Sequence, residues 1–136
     1  MHYRNRVWVG LLFVGLGLLG CSSARDVEVS GNVTAASTVM VGDKVVIDFI
    51  DVVGEGSNVE QHVAHSTQLT ALGDFKETVL LEGDRVLIRA FDDRNGDKTC
   101  SPGEAWGQTE AVVDGDKVEP TSLTLSTGIC PQLHGE

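Results

Sequence analysis

Aromatic side chains, cations and long apolar runs are all scarce in this chain. Of its 136 residues 5% are aromatic, the only tyrosine is Tyr3, and ten lysines and arginines face twenty aspartates and glutamates, for a net charge of −10. A surface with that balance repels polyphosphate, which excludes nucleic acid as a partner. There is no Gly-x-Ser-x-Gly elbow to present a nucleophilic serine and no glycine loop to cradle a phosphate. The apolar run at residues 7–20, VWVGLLFVGLGLLG, is shorter than the roughly 20 residues that span a bilayer. A sustained helical period and an internal repeat are also missing, which points away from helix bundles and solenoids and toward short strands.

What is present begins with an address. Arg4 and Arg6 precede the apolar run, which ends in Leu18-Leu19-Gly20-Cys21. The run has the length of a signal-peptide core, and its end resembles the bacterial lipobox, in which a small residue precedes a cysteine that is acylated and becomes the new N-terminus. The resemblance implies a lipoprotein signal peptide over residues 1–20, lipidation with palmitate-type chains on Cys21, a lipidated tether over residues 21–25 and one domain over residues 26–136. The competing reading is a retained anchor with an incidental cysteine. Each buried CH₂ of the acyl chains would contribute about 0.8 kcal/mol, and more than one chain makes the attachment stable. Ser22 and Ser23 follow the cysteine with no aspartate directly after it. In Gram-negative lipoproteins this resembles the pattern sent on to the outer membrane rather than kept at the inner one. The expected location is therefore the cell envelope, with the membrane reached through the lipid on Cys21.

Two of the ten basic residues and none of the acidic ones precede Cys21, so processing takes the net charge from −10 to −12. An acidic domain of this kind is repelled by anionic headgroups, which fits a module tethered by lipid rather than adsorbed on the membrane, and most of its acids serve solubility alone. Beyond Cys21 only Cys100 and Cys130 remain, an even number suited to an oxidising compartment. A bridge between them would close a loop of about 30 residues and contribute about 3–4 kcal/mol in the chain-entropy account. The alternative, a thiolate metal pair, mixes poorly with the carboxylates around Cys100.

Alternation predicts the strands. Residues 26–34 place Val27, Val29, Gly31 and Val33 on one face, a half-buried strand. Residues 44–53, KVVIDFIDVV, are rich in β-branched side chains, with Val45, Ile47 and Phe49 as the core face. Residues 58–69 read as a weaker polar strand at an edge, with room for one helical turn. Residues 75–81 and 85–91 follow across the turn Glu82-Gly83-Asp84, the latter with Val86, Ile88 and Ala90 inward and Arg85, Leu87 and Arg89 outward. Residues 108–113 and 118–126 flank the hairpin signal Asp114-Gly115-Asp116. About seven short strands predict an all-β fold, a single antiparallel β-sandwich, with a small barrel as the alternative.

Between the fifth and sixth strands lies AFDDRNGDKTCSPGEAWG, dense in hard oxygen donors. Asp93, Asn95 and Asp97 alternate, Thr99 stands at position seven and Glu104 at position twelve when Asp93 is one. This is the ligand spacing of a twelve-residue calcium loop: short donors curl round the ion, a backbone carbonyl serves at position seven, and the longer glutamate closes the far side. Calcium suits such a flexible, protein-derived oxygen cage better than magnesium does. Position six is Lys98 where glycine is usual, Gly96 comes two residues early, and the flanks are strands, so a helix-loop-helix pair is excluded and Asp92 could also contribute. The alternative is a solvated acidic turn with no ion.

VEVSGNVT, GDFKETVLLEGDRVLIRAF and DDRNGDKTCSPGE together resemble the prealbumin-like or carboxypeptidase-regulatory-like sandwich domains of bacterial surface proteins. The calcium-binding B repeats of bacterial adhesins share the Asp-x-Asn-Gly stretch followed by Gly-Glu. The resemblance covers most of residues 26–126 and implies a prealbumin-like or Ig-like sandwich at a cell surface, a frame that hosts many unrelated roles. Elsewhere, His62 and His65 could form a zinc pair on a helical turn but would diverge on a strand. Asp48 and Asp51, paired as in glycoside hydrolysis, would diverge likewise. Trp106 offers either a sugar platform or a plug beneath the loop. The expected function is a non-catalytic structural or protein-interaction module of the envelope. A carbohydrate-binding module is the alternative, the partner being an envelope protein or a glycan, and a small hydrolase is the third class.

Overall fold

The computed structural model describes residues 23–135; the signal peptide expected over residues 1–20 and the lipidation expected at Cys21 lie outside them. Seven strands follow in order: β1 (Arg25–Ala35), β2 (Val45–Val53), β3 (Glu60–Leu69), β4 (Gly73–Leu81), β5 (Arg85–Asp92), β6 (Trp106–Val112) and β7 (Thr121–Leu125). A single 3-10 turn, Gly56–Asn58, precedes β3. No helix among the described residues is long and apolar enough to cross a membrane.

The strands form two sheets, β4-β1-β7 and β3-β2-β5-β6, so the described residues make an all-β, seven-stranded sandwich. Every ladder between neighbours is antiparallel except β1 with β7, which run parallel from Gly31 opposite Thr121 to Ala35 opposite Leu125. In an immunoglobulin constant-type sandwich the first two strands share a sheet; here β1 and β2 lie in different ones. At one corner the sheets touch, where Trp106 and Ser126 exchange both backbone hydrogen bonds at 2.9 Å.

The alternating positions of β1, β2 and β5 meet between the sheets. Val27, Val29, Val33, Val45, Ile47, Phe49, Val86 and Ile88 are essentially inaccessible there, joined by Phe75, Val79, Leu123 and Leu125. The outward phase of the four-stranded sheet behaves differently from the expectation for β5. Leu87 and Arg89 are buried, and β2 is buried on both faces up to its last residue. The reason is a second layer: Leu133 of the C-terminal tail packs on Ile50, Val52 and Leu87, and the backbone of Gln61 donates to the His134 carbonyl at 2.9 Å. The tail is thus a strap over that sheet, joined to the β5–β6 loop where Cys100 and Cys130 are bonded, their Cα atoms 6.1 Å apart.

Candidate metal centre

β5 ends by turning the chain into the acidic loop. The Asp92 backbone N–H donates to the Ala105 carbonyl and that of Asp93 to Lys44, so both ends of the loop are pinned to strand ends. Three of the five ligands expected from the sequence converge: one carboxylate oxygen from each of Asp93, Asp97 and Glu104 lies within 4.8 Å of the others. The other two sit at the rim. Asn95 Nδ2 donates to Asp97 Oδ2 at 3.0 Å, and Thr99 presents its N–H to Asp97 Oδ1 at 2.8 Å while its carbonyl accepts from the Ser101 hydroxyl. Asp92 does not join them: its carboxylate accepts from the Gly42 N–H and from Arg94 Nε.

The loop's curl is an amide-lined one. Asp93 accepts from the N–H groups of Gly96 and Lys98, Glu104 from those of Arg94 and Ser101, and Asn95 Oδ1 from that of Asp97. Lys98 carries a φ of 59°. It holds the left-handed turn that position six of a calcium loop requires, in place of the usual glycine and at a steric cost of about 1–2 kcal/mol. The Thr99 amide is the main reason the Asp97 carboxyl sits below its ordinary value. Asp93 and Glu104 are 2% and 4% exposed. Carboxylates so close and so buried repel strongly unless donors or a cation offset the charge. Among the described residues no lysine, arginine or histidine side chain pairs with any of the three. The donor set, all oxygen and three carboxylates, fits a hard divalent cation such as calcium.

The weaker sequence candidates separate. Asp48 points to the outer face, where Ser66 Oγ donates to it at 2.5 Å; Asp51, in the opposite phase, accepts from the N–H groups of Glu82 and Gly83 at 2.7 and 2.9 Å. They form no catalytic pair. Gly83 can be nothing else, since a Cβ there would lie 2.0 Å from the Val52 carbonyl oxygen. The histidines correct the expectation of opposite faces. A bulge in β3 opposite Phe49 and Ile50 sets His65 across from Phe49 and His62 across from Asp51, two inward-phase positions. His65 stacks on Phe49 with ring centroids 5.8 Å apart and reaches Glu77 at 3.5 Å, while His62 stands 3.8 Å from Asp51. Trp106 is half-buried with its Nε1 covered and without a hydrogen-bond partner, and a Cβ on Gly128 would come within 3.2 Å of that nitrogen. The ring is thus packed at the Gly128 segment rather than standing free as an open platform.

One feature escaped the sequence reading. Register aligns Ser66, Asp48, Arg89 and Gln108 as a polar row across the outer face of β3-β2-β5-β6, with Arg89 Nε donating to Gln108 Oε1 at 3.1 Å. Burial, only partly offset by Ser66 and Arg89, raises the Asp48 carboxyl above its ordinary value. The strap stands over this row and leaves a cleft. The near-continuous apolar run of β2 was the available signal, because a strand without alternation is covered on both faces. No family model, curated protein or solved structure matches the chain.

Proposed function

We propose that this chain is a lipid-anchored envelope protein, held by acyl chains on Cys21, whose sandwich is a non-catalytic structural or protein-interaction module braced by calcium in the β5–β6 loop. Asp93, Asp97 and Glu104 would supply carboxylate oxygens, Asn95 its amide oxygen and Thr99 its backbone carbonyl. The observation that carries the reading is the convergence of three carboxylates, two of them buried, in a loop whose sixth position takes the left-handed turn. The ion would neutralise that charge and stiffen the link between β5 and β6, while the Cys100–Cys130 bond ties the same loop to the strap. The lipobox resemblance at residues 18–21 and the two remaining cysteines support an exported location outside the cytoplasm, and Ser22-Ser23 after Cys21 support the outer membrane over the inner one. Of the two sandwich types the sequence suggests, we keep the prealbumin-like one, because β1 and β2 lie in different sheets.

Calorimetric titration of the domain with calcium should give one site, abolished in Asp97→Asn/Glu104→Gln; absence of heat in the parent rejects the ion. Metabolic labelling with palmitate should mark the full chain and fail in Cys21→Ser; equal labelling rejects the anchor.

A further inference from the structure

We propose that the cleft between the strap and the outer face of β3-β2-β5-β6 is a binding site for a neutral saccharide. Its volume, about 760 Å³, lies within the range of about 300–1,000 Å³ common to small-ligand sites. Asp48 and Arg89, 9% and 7% exposed, form its floor side by side in the β2–β5 register. Lys98 and Thr99 of the loop and Ile129 and Gln132 of the strap also line it.

A cover serving stability alone would press apolar side chains onto the sheet, as Leu133 does on Ile50, Val52 and Leu87. Over the polar row the strap instead stands off from two buried charged groups. Burying such groups costs stability unless they are paired and hydrogen-bonded, and apolar replacements often serve the fold as well or better. Ser66 and Gln108 fix the two side chains in orientation before any ligand arrives, which lowers the entropy cost of binding.

The floor sets a carboxylate acceptor beside a guanidinium whose charge offsets it, so a ligand without net charge is favoured. Hydroxyl groups both donate and accept, and vicinal hydroxyls suit acceptors and donors side by side. The C–H faces of a sugar would lie on Ile129 and Pro131 of the strap and Pro102 of the loop. Acidic saccharides are repelled by the −12 charge of the processed chain. A peptide recognised by strand addition needs a sheet edge, whereas this cleft lies over a face. The raised carboxyl of Asp48 accords with a floor already stripped of much of its water. The floor, Asp48 and Arg89, supplies no ligand to the proposed ion, although the wall shares Thr99 with the acidic loop; the lipid and Trp106 lie outside the site.

The test is amide chemical-shift mapping on ¹⁵N-labelled protein lacking residues 1–21, with maltose, cellobiose, N,N′-diacetylchitobiose and mannobiose each at about 10 mM, enough to populate a millimolar complex. At least one sugar should shift amides of residues 98–102 and 129–133. Ile129→Asp, a change at a side chain 80% exposed that removes the apolar contact for the sugar's C–H face, should weaken that sugar at least about tenfold at an unchanged unfolding midpoint. No shifts with any of the four, shifts centred on Trp106, or undiminished binding to Ile129→Asp would overturn the proposal. Should Ile129→Asp unfold, the shift map of the parent protein decides alone.

Discussion

Asp51→Ala should destabilise the domain by about 2–4 kcal/mol, although the residue touches no ligand. Its carboxylate is 1% exposed and caps the β4–β5 turn, where the chain crosses from one sheet to the other. Alanine leaves the buried Gly83 N–H without an acceptor, a loss of about 1–3 kcal/mol. The Glu82 N–H is nearer water and recovers part of its bond there, so it adds about 1 kcal/mol. His62, 3.8 Å away and more than half exposed, changes the sum little. At about 2.1 cal/mol/K per residue, 116 residues give an unfolding entropy near 0.24 kcal/mol/K, and the midpoint falls by about 8–16 °C. Asp51→Asn keeps one acceptor oxygen and should cost about half as much. Urea denaturation followed by circular dichroism reads both, with the slope unchanged. An Asp51→Ala protein within about 0.5 kcal/mol of the parent, the range of an ordinary surface change, would refute the capping argument.

Other outcomes follow from the same contacts. Because burial raises the folded-state value of Asp48, ionisation there opposes folding. Its favourable balance holds at pH below the unfolded value and is lost as pH rises through the folded one. Asp48→Asn should therefore gain on the parent progressively as pH climbs from about 4 toward neutrality, read by urea melts across pH; a difference independent of pH contradicts this. Reducing Cys100–Cys130 should cost about 3–4 kcal/mol and speed amide exchange at Gln61 and His134, where the strap is hydrogen-bonded; unchanged exchange would mean that the strap holds without the bridge. Lys98→Gly removes a left-handed non-glycine residue and should stabilise the folded loop by about 1 kcal/mol, read as a higher unfolding midpoint; a lower one would mean that the lysine side chain matters more than the backbone.

The sandwich was legible because β1, β4 and β7 alternate cleanly and turn residues separate them, so period and punctuation agree. The boundaries moved by one to three residues: β1 begins at Arg25, β6 at Trp106 and β7 at Thr121. Loop spacing foretold the meeting of Asp93, Asp97 and Glu104, since closing a twelve-residue loop is a local matter. Non-local effects were hidden. The parallel pairing of β1 with β7 joins residues about 90 apart, and nothing in either strand encodes its partner. The bulge that turns His62 and His65 to one face depends on pairing with β2 and leaves no mark in EQHVAHSTQL. Arg89, placed outward on periodicity, is outward but covered, because a tail more than 40 residues later folds over it; Cys130 was the one sequence clue to that.

The most direct test of the central claim, a sandwich braced by calcium at the β5–β6 loop, is the unfolding midpoint of the processed domain in millimolar calcium against chelator, with Glu104→Gln measured alongside. Binding to the folded state alone stabilises by about 2.7 kcal/mol at a hundredfold excess over the dissociation constant. By the entropy used above, the parent midpoint should then rise by about 11 °C, with little or no rise in Glu104→Gln. Coincident midpoints of the parent with and without calcium would contradict the claim.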